Sequence, residues 1–241
     1  MDAKRFTPRV GLSYSIDKST SAYAVLDQSF MPQTGEDYYK NAFKPSVGTN
    51  KEIGIKREWF NGNWETTFSA YYINKSNVLA TDPEHINKSI QLGKTRTKGI
   101  EFDIRGQITD QLSVTANYAF TDAIITEDPT PANIGTDIPG VTKNLANGWL
   151  TYRFTNQSLK GLGISLGSQF QGGRTSWATG TLPDYFRLDG AISYQMNKFS
   201  MALNVNNITN RYLYSGGYYS GYYYWQTEPR ANYRMNVTYR F

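Results

Sequence analysis

The sequence contains no cysteine, which excludes a disulfide framework, a thiolate nucleophile and a cysteine metal site, and leaves the redox compartment open. It also lacks any run of about 18 apolar residues, so no helix drawn from it can span a bilayer. Histidine is almost absent. The single one, His85, stands in a loop beside Asp82 and Glu84. A serine hydrolase would need it as a base oriented by a partner, and a dedicated metal site needs several convergent ligands. Neither pattern is present, so no catalytic residue and no metal ligand is assigned. The start, Met1 to Pro8, carries charges with no apolar run behind them and does not read as a signal peptide; any export signal is expected outside this chain. The glycines of the run Gly161 to Gly167 open a strand rather than a helix, so they cannot cradle a phosphate as nucleotide loops do.

What is abundant is aromatic. The 241 residues include 19 Tyr, 12 Phe and 5 Trp, yet the mean hydropathy is −0.55. Transmembrane β-strands combine these properties, because lipid-facing and lumen-facing side chains alternate and each strand is only half apolar. The net charge of +5 comes from Lys and Arg scattered along the chain, not gathered into a stripe, so no nucleic-acid partner is expected.

Period-two alternation recurs from end to end. Leu112, Val114, Ala116, Tyr118 and Phe120 oppose Ser113, Thr115 and Asn117; Ile100, Phe102 and Ile104 oppose Glu101, Asp103 and Arg105. Phe186, Leu188, Ile192 and Tyr194 oppose Arg187, Asp189 and Ser193. In these segments charge falls on one face only. Eleven strands are expected near residues 5–16, 20–31, 48–59, 64–74, 92–106, 112–123, 142–155, 162–171, 185–194, 199–208 and 229–241. Their connections alternate between short and long. The short ones contain Asp17-Lys18-Ser19, Asn61-Gly62-Asn63, Thr109-Asp110, Asn156-Gln157-Ser158 and Met196-Asn197-Lys198, which is tight-turn chemistry. The long ones span 32–47, 75–91, 124–141, 172–184 and 209–228 and are rich in Gly, Pro, Asn, Thr and Tyr.

In an up-and-down meander, alternate connections emerge on the same side. One rim then carries short periplasmic turns and the other long extracellular loops. A soluble β-sandwich or lipocalin-like barrel also alternates, but its strands average about five or six residues, whereas about nine to eleven are needed to cross a bilayer. Rings near strand ends, such as Trp59, Tyr152 and Tyr194, suit interfacial girdles. The fold class is therefore all-β, an antiparallel up-and-down transmembrane β-barrel segment.

Several segments carry a resemblance. Tyr239-Arg240-Phe241, with Tyr233, Met235 and Val237 at alternate positions before it, resembles the signal read by the barrel-assembly machinery. Thr7-Pro8-Arg9-Val10-Gly11-Leu12-Ser13-Tyr14, Gln28-Ser29-Phe30-Met31-Pro32 and Asn50-Lys51-Glu52-Ile53-Gly54-Ile55-Lys56 resemble, in that order, the C-terminal half of TonB-dependent siderophore receptors. Thr97-Lys98-Gly99-Ile100-Glu101-Phe102, Ala116-Asn117-Tyr118-Ala119-Phe120-Thr121-Asp122-Ala123, Asn204-Val205-Asn206-Asn207-Ile208-Thr209-Asn210-Arg211-Tyr212 and Pro229-Arg230 continue the series. Barrels of that family have about 22 strands around a plugged lumen. The resemblance implies that residues 1–241 are the C-terminal part of the barrel domain, the plug, TonB box and first barrel half lying outside this chain. It implies a multi-pass protein of the cell outer membrane, not an enzyme, whose partners are outer-membrane lipid, the TonB system and a ferric siderophore carried as transported ligand rather than cofactor. A complete small porin or barrel hydrolase, and a receptor for haem, cobalamin or sugar, are the competing readings. By itself the polypeptide is expected neither to close a barrel nor to import.

Under the receptor reading, ligand is captured by aromatic faces with a few polar groups in the loops. The last long loop offers Tyr218, Tyr219, Tyr222, Tyr223, Tyr224 and Trp225 among glycines on a flexible backbone, and other loops offer Arg174, Trp177, Tyr38 and Tyr39. The charges Glu101, Asp103, Arg105, Arg153, Arg187 and Asp189 are expected to line the lumen and face the plug. Glu101 and Asp103 share a strand face as paired catalytic carboxylates would, but mixed charges lining a polar lumen explain them without catalysis.

Overall fold

The chain is described by a computed structural model covering residues 4–176, 180–219 and 222–241. Its elements are β1(Arg9–Ser15), β2(Thr20–Met31), β3(Ser46–Trp59), β4(Trp64–Thr81), β5(Ser89–Gln107), β6(Leu112–Glu127), β7(Thr142–Arg153), β8(Leu162–Ser176), β9(Gly180–Leu182), β10(Tyr185–Met196), β11(Phe199–Asn206), β12(Tyr214–Tyr219), β13(Tyr222–Thr227) and β14(Asn232–Tyr239), with two single 3-10 turns. Eleven strands form one path, β1-β2-β3-β4-β5-β6-β7-β8-β10-β11-β14, with β9 added beside β8; β12 and β13 pair separately. The chain divides into two compact units. The first comprises Met1–Lys56, Phe68–Ile100 and Thr121–Val141, and the second Arg57–Thr67, Glu101–Phe120 and Thr142–Phe241.

Burial is inverted relative to a water-soluble protein. Few hydrophobic residues are buried, Val47, Ala123, Leu182, Tyr185 and Leu213 among them, whereas Leu12, Leu26, Ile53, Ile192, Met235 and many more lie exposed on one face of their strands. Exposed apolar surface on this scale marks contact with something other than water, and a continuous strip of it is what lipid covers on a barrel.

In the first unit, β1 pairs with β2 so that Val10 faces Leu26, Leu12 faces Ala24 and Tyr14 faces Ala22 on the apolar side. On the other side the Tyr23 hydroxyl donates to Glu52 Oε1 at 2.7 Å. The 32–45 connection is tied down by amide side chains. Gln33 Nε2 donates to the Asn77 carbonyl at 2.6 Å, Asn77 Nδ2 to the Pro45 carbonyl at 3.0 Å, and Gln91 Oε1 accepts from Lys44 N at 2.7 Å.

In the second unit, β7 pairs with β6 and β8, placing Leu150 between Val114 and Leu166, and Tyr152 between Leu112 and Ile164. On the polar side Asn147 Nδ2 donates to Asn117 Oδ1, and the Thr151 and Ser165 hydroxyls share a hydrogen bond, each at 2.9 Å. Trp149 lies flat over Gly167, where a Cβ would come within 2.4 Å of the indole, so this position requires glycine. On β14, Tyr233, Met235, Val237 and Tyr239 oppose Val205, Leu203, Met201 and Phe199.

Sequence and structure part company mainly at the loops. The expected 75–91 loop is mostly strand, since β4 runs 18 residues and β5 runs 19, leaving 82–88 as the connection. These ends reach past a membrane-spanning length, where both faces meet polar surroundings and alternation is no longer selected; Asn77, at φ 56°, also interrupts the pattern. The first and last strands are shorter than expected, 7 and 8 residues. The 209–228 loop is not irregular, because it contains the β12–β13 hairpin.

Candidate functional site

Two loop assemblies gather the candidate residues, one in each unit. In the second unit the hairpin β12–β13 sets Gly216 opposite Trp225 and Gly217 opposite Tyr224, so large rings face positions without side chains. Tyrosine's preference for extended backbone favours this arrangement over a coil. A Cβ on Gly216 would come within 2.5 Å of Ser176 Oγ, so the glycine allows the hairpin to lie against the end of β8. Tyr214 packs on Trp225 with centroids 5.9 Å apart. Tyr222 is 78% exposed, and Tyr224 and Trp225 also present exposed rings. For Tyr218, Tyr219 and Tyr223 the structure describes the backbone, in β12 and β13, and not the side chain; Trp177 lies outside the described residues.

The root of the hairpin is polar and tightly bonded. Asp189, 7% exposed, accepts from Arg187 Nε at 2.9 Å through Oδ2 and from the Asn207 backbone N–H at 2.8 Å through Oδ1. Asn207, 1% exposed and at φ 54°, donates from Nδ2 to the Arg211 carbonyl and accepts from Arg211 N through Oδ1. Arg187 Nη1 approaches Glu228 at 3.8 Å, and Glu228 N closes the hairpin base on the Leu213 carbonyl. Arg230 stacks on Tyr212, 4.7 Å from the ring centroid.

Arg174 belongs to this support. Gly173, at φ 61°, turns the chain so that Arg174 is buried over the Tyr185 ring, and its Nη1 donates to the Tyr214 and Pro183 carbonyls at 2.7 and 3.4 Å. It braces the hairpin rather than standing open in the loop.

In the first unit, Tyr38 stacks on His85 with centroids 3.5 Å apart, and Tyr39 meets both rings edge-on at 5.3 and 5.9 Å. His85 is the residue whose role the sequence left empty. Its Nδ1 bonds Asp82 Oδ2 at 2.9 Å, while Asp82 Oδ1 accepts the backbone N–H groups of Glu84 and His85. The Glu84 amide above all, then the His85 ring, holds the Asp82 carboxyl below its ordinary value of 3.8. A carboxylate with a depressed folded-state pKa stabilises its loop fully above the ordinary value, and this is lost as pH falls through the lowered one. The ratio of pepsin cleavage within residues 82–88 in the parent to that in Asp82→Asn, taken at each pH so that the protease's own pH dependence cancels, is therefore expected to rise as pH drops below the ordinary carboxylate range. Parallel profiles would remove the role given to Asp82.

The strand charges do not form one cluster. Arg105 pairs with Glu65 near the short-turn end of its strand, and Arg153 stands at the same end of β7. Arg187 and Asp189 lie at the loop end of β10. Glu101 and Asp103 fall between, on β5. Only the Arg187 and Asp189 pair joins a loop site. The residues expected to form an assembly signal, Tyr233, Met235, Val237, Tyr239 and Phe241, are all exposed, and Tyr239 packs against Phe199 and Phe241 at 4.7 and 5.1 Å.

An antiparallel meander with an apolar outer strip, tight turns on one rim and an anchored aromatic hairpin on the other defines the wall of an outer-membrane β-barrel. The chain belongs to the TonB dependent receptor-like, beta-barrel family, whose model matches residues 1–208. It is similar to the metal-pseudopaline receptor CntO of Pseudomonas aeruginosa strain UCBPP-PA14, 29% identical over 236 residues covering 96% of this chain and 33% of that one. Similarity to the ferric-pyoverdine M114 receptor PbuA of Pseudomonas sp. strain M114 is 31% over 244 residues, covering 96% and 29%. The crystal structure of the Pseudomonas aeruginosa outer-membrane ferripyoverdine receptor, bound to ferripyoverdine, superposes with a TM-score of 0.78 at 25% identity, over 99% of this chain and 33% of that one. The chain spans about a third of the length of these relatives.

Proposed function

We propose that this chain forms the ligand-capturing C-terminal wall of a receptor that takes up a ferric siderophore across the outer membrane, coupled to the TonB system. The supporting observation is the β12–β13 hairpin, which carries exposed rings above a buried polar root. Flat, rigid aromatic surface binds a bulky chelate at little entropic cost, since few rotamers are frozen. Relatives over 96% of the chain are named as receptors for ferric pyoverdine and for metal-pseudopaline, both metal chelates. Transport of this kind changes no covalent bond, so the chain is read as non-enzymatic. The plug would meet Glu101, Asp103, Arg105 and Arg153, and β14 would present Tyr233 to Phe241 to the assembly machinery.

The test is calorimetric titration of several metal chelates into the full-length protein carrying this chain. Replacing Tyr222, Tyr224 and Trp225 together by alanine is expected to weaken the preferred ferric chelate about 30-fold or more, the loss associated with at least one aromatic hot spot. Undiminished affinity in the triple variant would refute the hairpin as the capture surface.

A further inference from the structure

The lipid-facing positions of the first unit change character along their strands. At membrane depth they are apolar or small: Leu12 on β1, Ala24 on β2, Ile53 on β3, Ala70 and Tyr72 on β4. The two alanines leave a groove of about 590 Å³ between the larger side chains. Two residues further toward the loops, roughly 7 Å along a strand, the faces of β3, β4 and β5 turn polar and cationic, while β1 and β2 stay apolar through Val10 and Leu26. Lys51 stands beyond Ile53, Asn74 and Ser76 beyond Tyr72, and Lys98, Arg96 and Lys94 beyond Ile100. Thr49, Asn74, Ser76, Lys94 and Thr126 line a second hollow of about 220 Å³.

The charge in this upper region is unbalanced. Asp122 is shared by Arg96 at 2.8 Å and Lys98 at 3.5 Å, and Glu127 pairs with Lys94 at 2.8 Å. Lys51 is exposed with no ion pair among the described residues. Arg96 Nε is buried without a hydrogen-bond partner.

We infer that this face binds a phosphorylated, acylated lipid of the outer leaflet, an acyl chain lying in the Ala24 and Ala70 groove and the headgroup phosphate resting on Lys51, Lys94, Arg96 and Lys98. The groove lies at a depth where its surroundings are hydrocarbon, and the cations begin where a headgroup would. Basic side chains at a membrane surface attract anionic lipid for this reason. A second copy of the chain fits less well, since its matching face would set lysine against lysine. The inference does not depend on which chelate the receptor carries.

Native mass spectrometry of the full-length protein in a non-ionic detergent, with added diphosphorylated lipid A, tests it. The unaltered protein should retain lipid A. The triple substitution Lys51→Gln, Lys94→Gln and Lys98→Gln, with heat-modifiable mobility unchanged as a folding control, should lower occupancy about tenfold or more, and Ala70→Phe should lower it by filling the groove. Dephosphorylated lipid A and inorganic phosphate should bind poorly to the unaltered protein. Equal occupancy in the triple variant overturns the inference, as does equal retention of dephosphorylated lipid. Displacement of lipid A by inorganic phosphate would reduce the site to an anion patch and overturn it too.

Discussion

Replacing Asp189 by alanine should destabilise the second unit by about 2–4 kcal/mol, mostly from leaving the buried Asn207 N–H unsatisfied, with a smaller share from an Arg187 guanidinium that stays partly solvated. Two groups lose their acceptor at once. The Arg187 guanidinium is left with Glu228 at 3.8 Å, and the buried Asn207 N–H is left with nothing in place of Asp189 Oδ1. Asp189→Asn keeps an oxygen for Asn207 but sets an amide against a cation, so its loss should be smaller. Asn207→Ala removes both side-chain bonds to Arg211 and places a Cβ-bearing aliphatic residue at φ 54°, for about 2–4 kcal/mol in total. Because Asp189 and Asn207 form one network, the double substitution should cost less than the sum. Denaturant unfolding of the full-length protein in detergent measures all four. If Asp189→Ala stays within about 0.5 kcal/mol of the parent, as an unremarkable surface change would, the root is not the anchor described above.

That anchor gives the hairpin its functional sense. Exposed rings are useful for capture only if held in place before the ligand arrives, and ordering them at the moment of binding would subtract from affinity. Arg174, Asp189 and Asn207 all bond to backbone at or near the hairpin's base. A loss of root stability should therefore also weaken ligand binding, though none of the three need touch the ligand.

Strand positions were legible in the sequence wherever one face meets lipid, because that face must be apolar at every second residue. The stretch Leu112 to Phe120 shows this, and its register with β7 follows the same alternation. Residues 75–81 look like loop in the sequence because no such demand acts there. Lys75 and Asn77 sit among Asn74, Ser76 and Val78 with no consistent apolar face, yet the strand continues through them. The hairpin looks like loop for another reason. Its glycines suggest flexibility locally, and only cross-strand placement opposite Trp225 and Tyr224 turns them into a platform. Arg174 looked available for the same kind of local reason, until the turn at Gly173 buried it. Around His85 the sequence shows no catalytic pattern, and nothing local points to the Tyr38 ring, which reaches it from a different connection.

Produced alone, the 241-residue polypeptide should give no heat-modifiable, protease-resistant monomer in detergent. The strand path begins at β1 and ends at β14, each with one neighbour in the sheet order. Edge strands direct about half of their N–H and C=O groups away from that neighbour. In hydrocarbon each unpaired group costs several kcal/mol. Summed over the seven residues of β1 and the eight of β14, this exceeds the roughly 5–15 kcal/mol by which a folded domain is stable. The polypeptide should instead associate edge to edge, or stay accessible to protease at both ends. Electrophoresis with and without heating, together with size-exclusion chromatography, reads the outcome directly. A monodisperse species whose mobility shifts on boiling would mean that β1 and β14 find partners within one chain. The wall would then be a barrel in its own right, and the capture surface on β12–β13 would have to be reread as the rim of a small, self-contained pore.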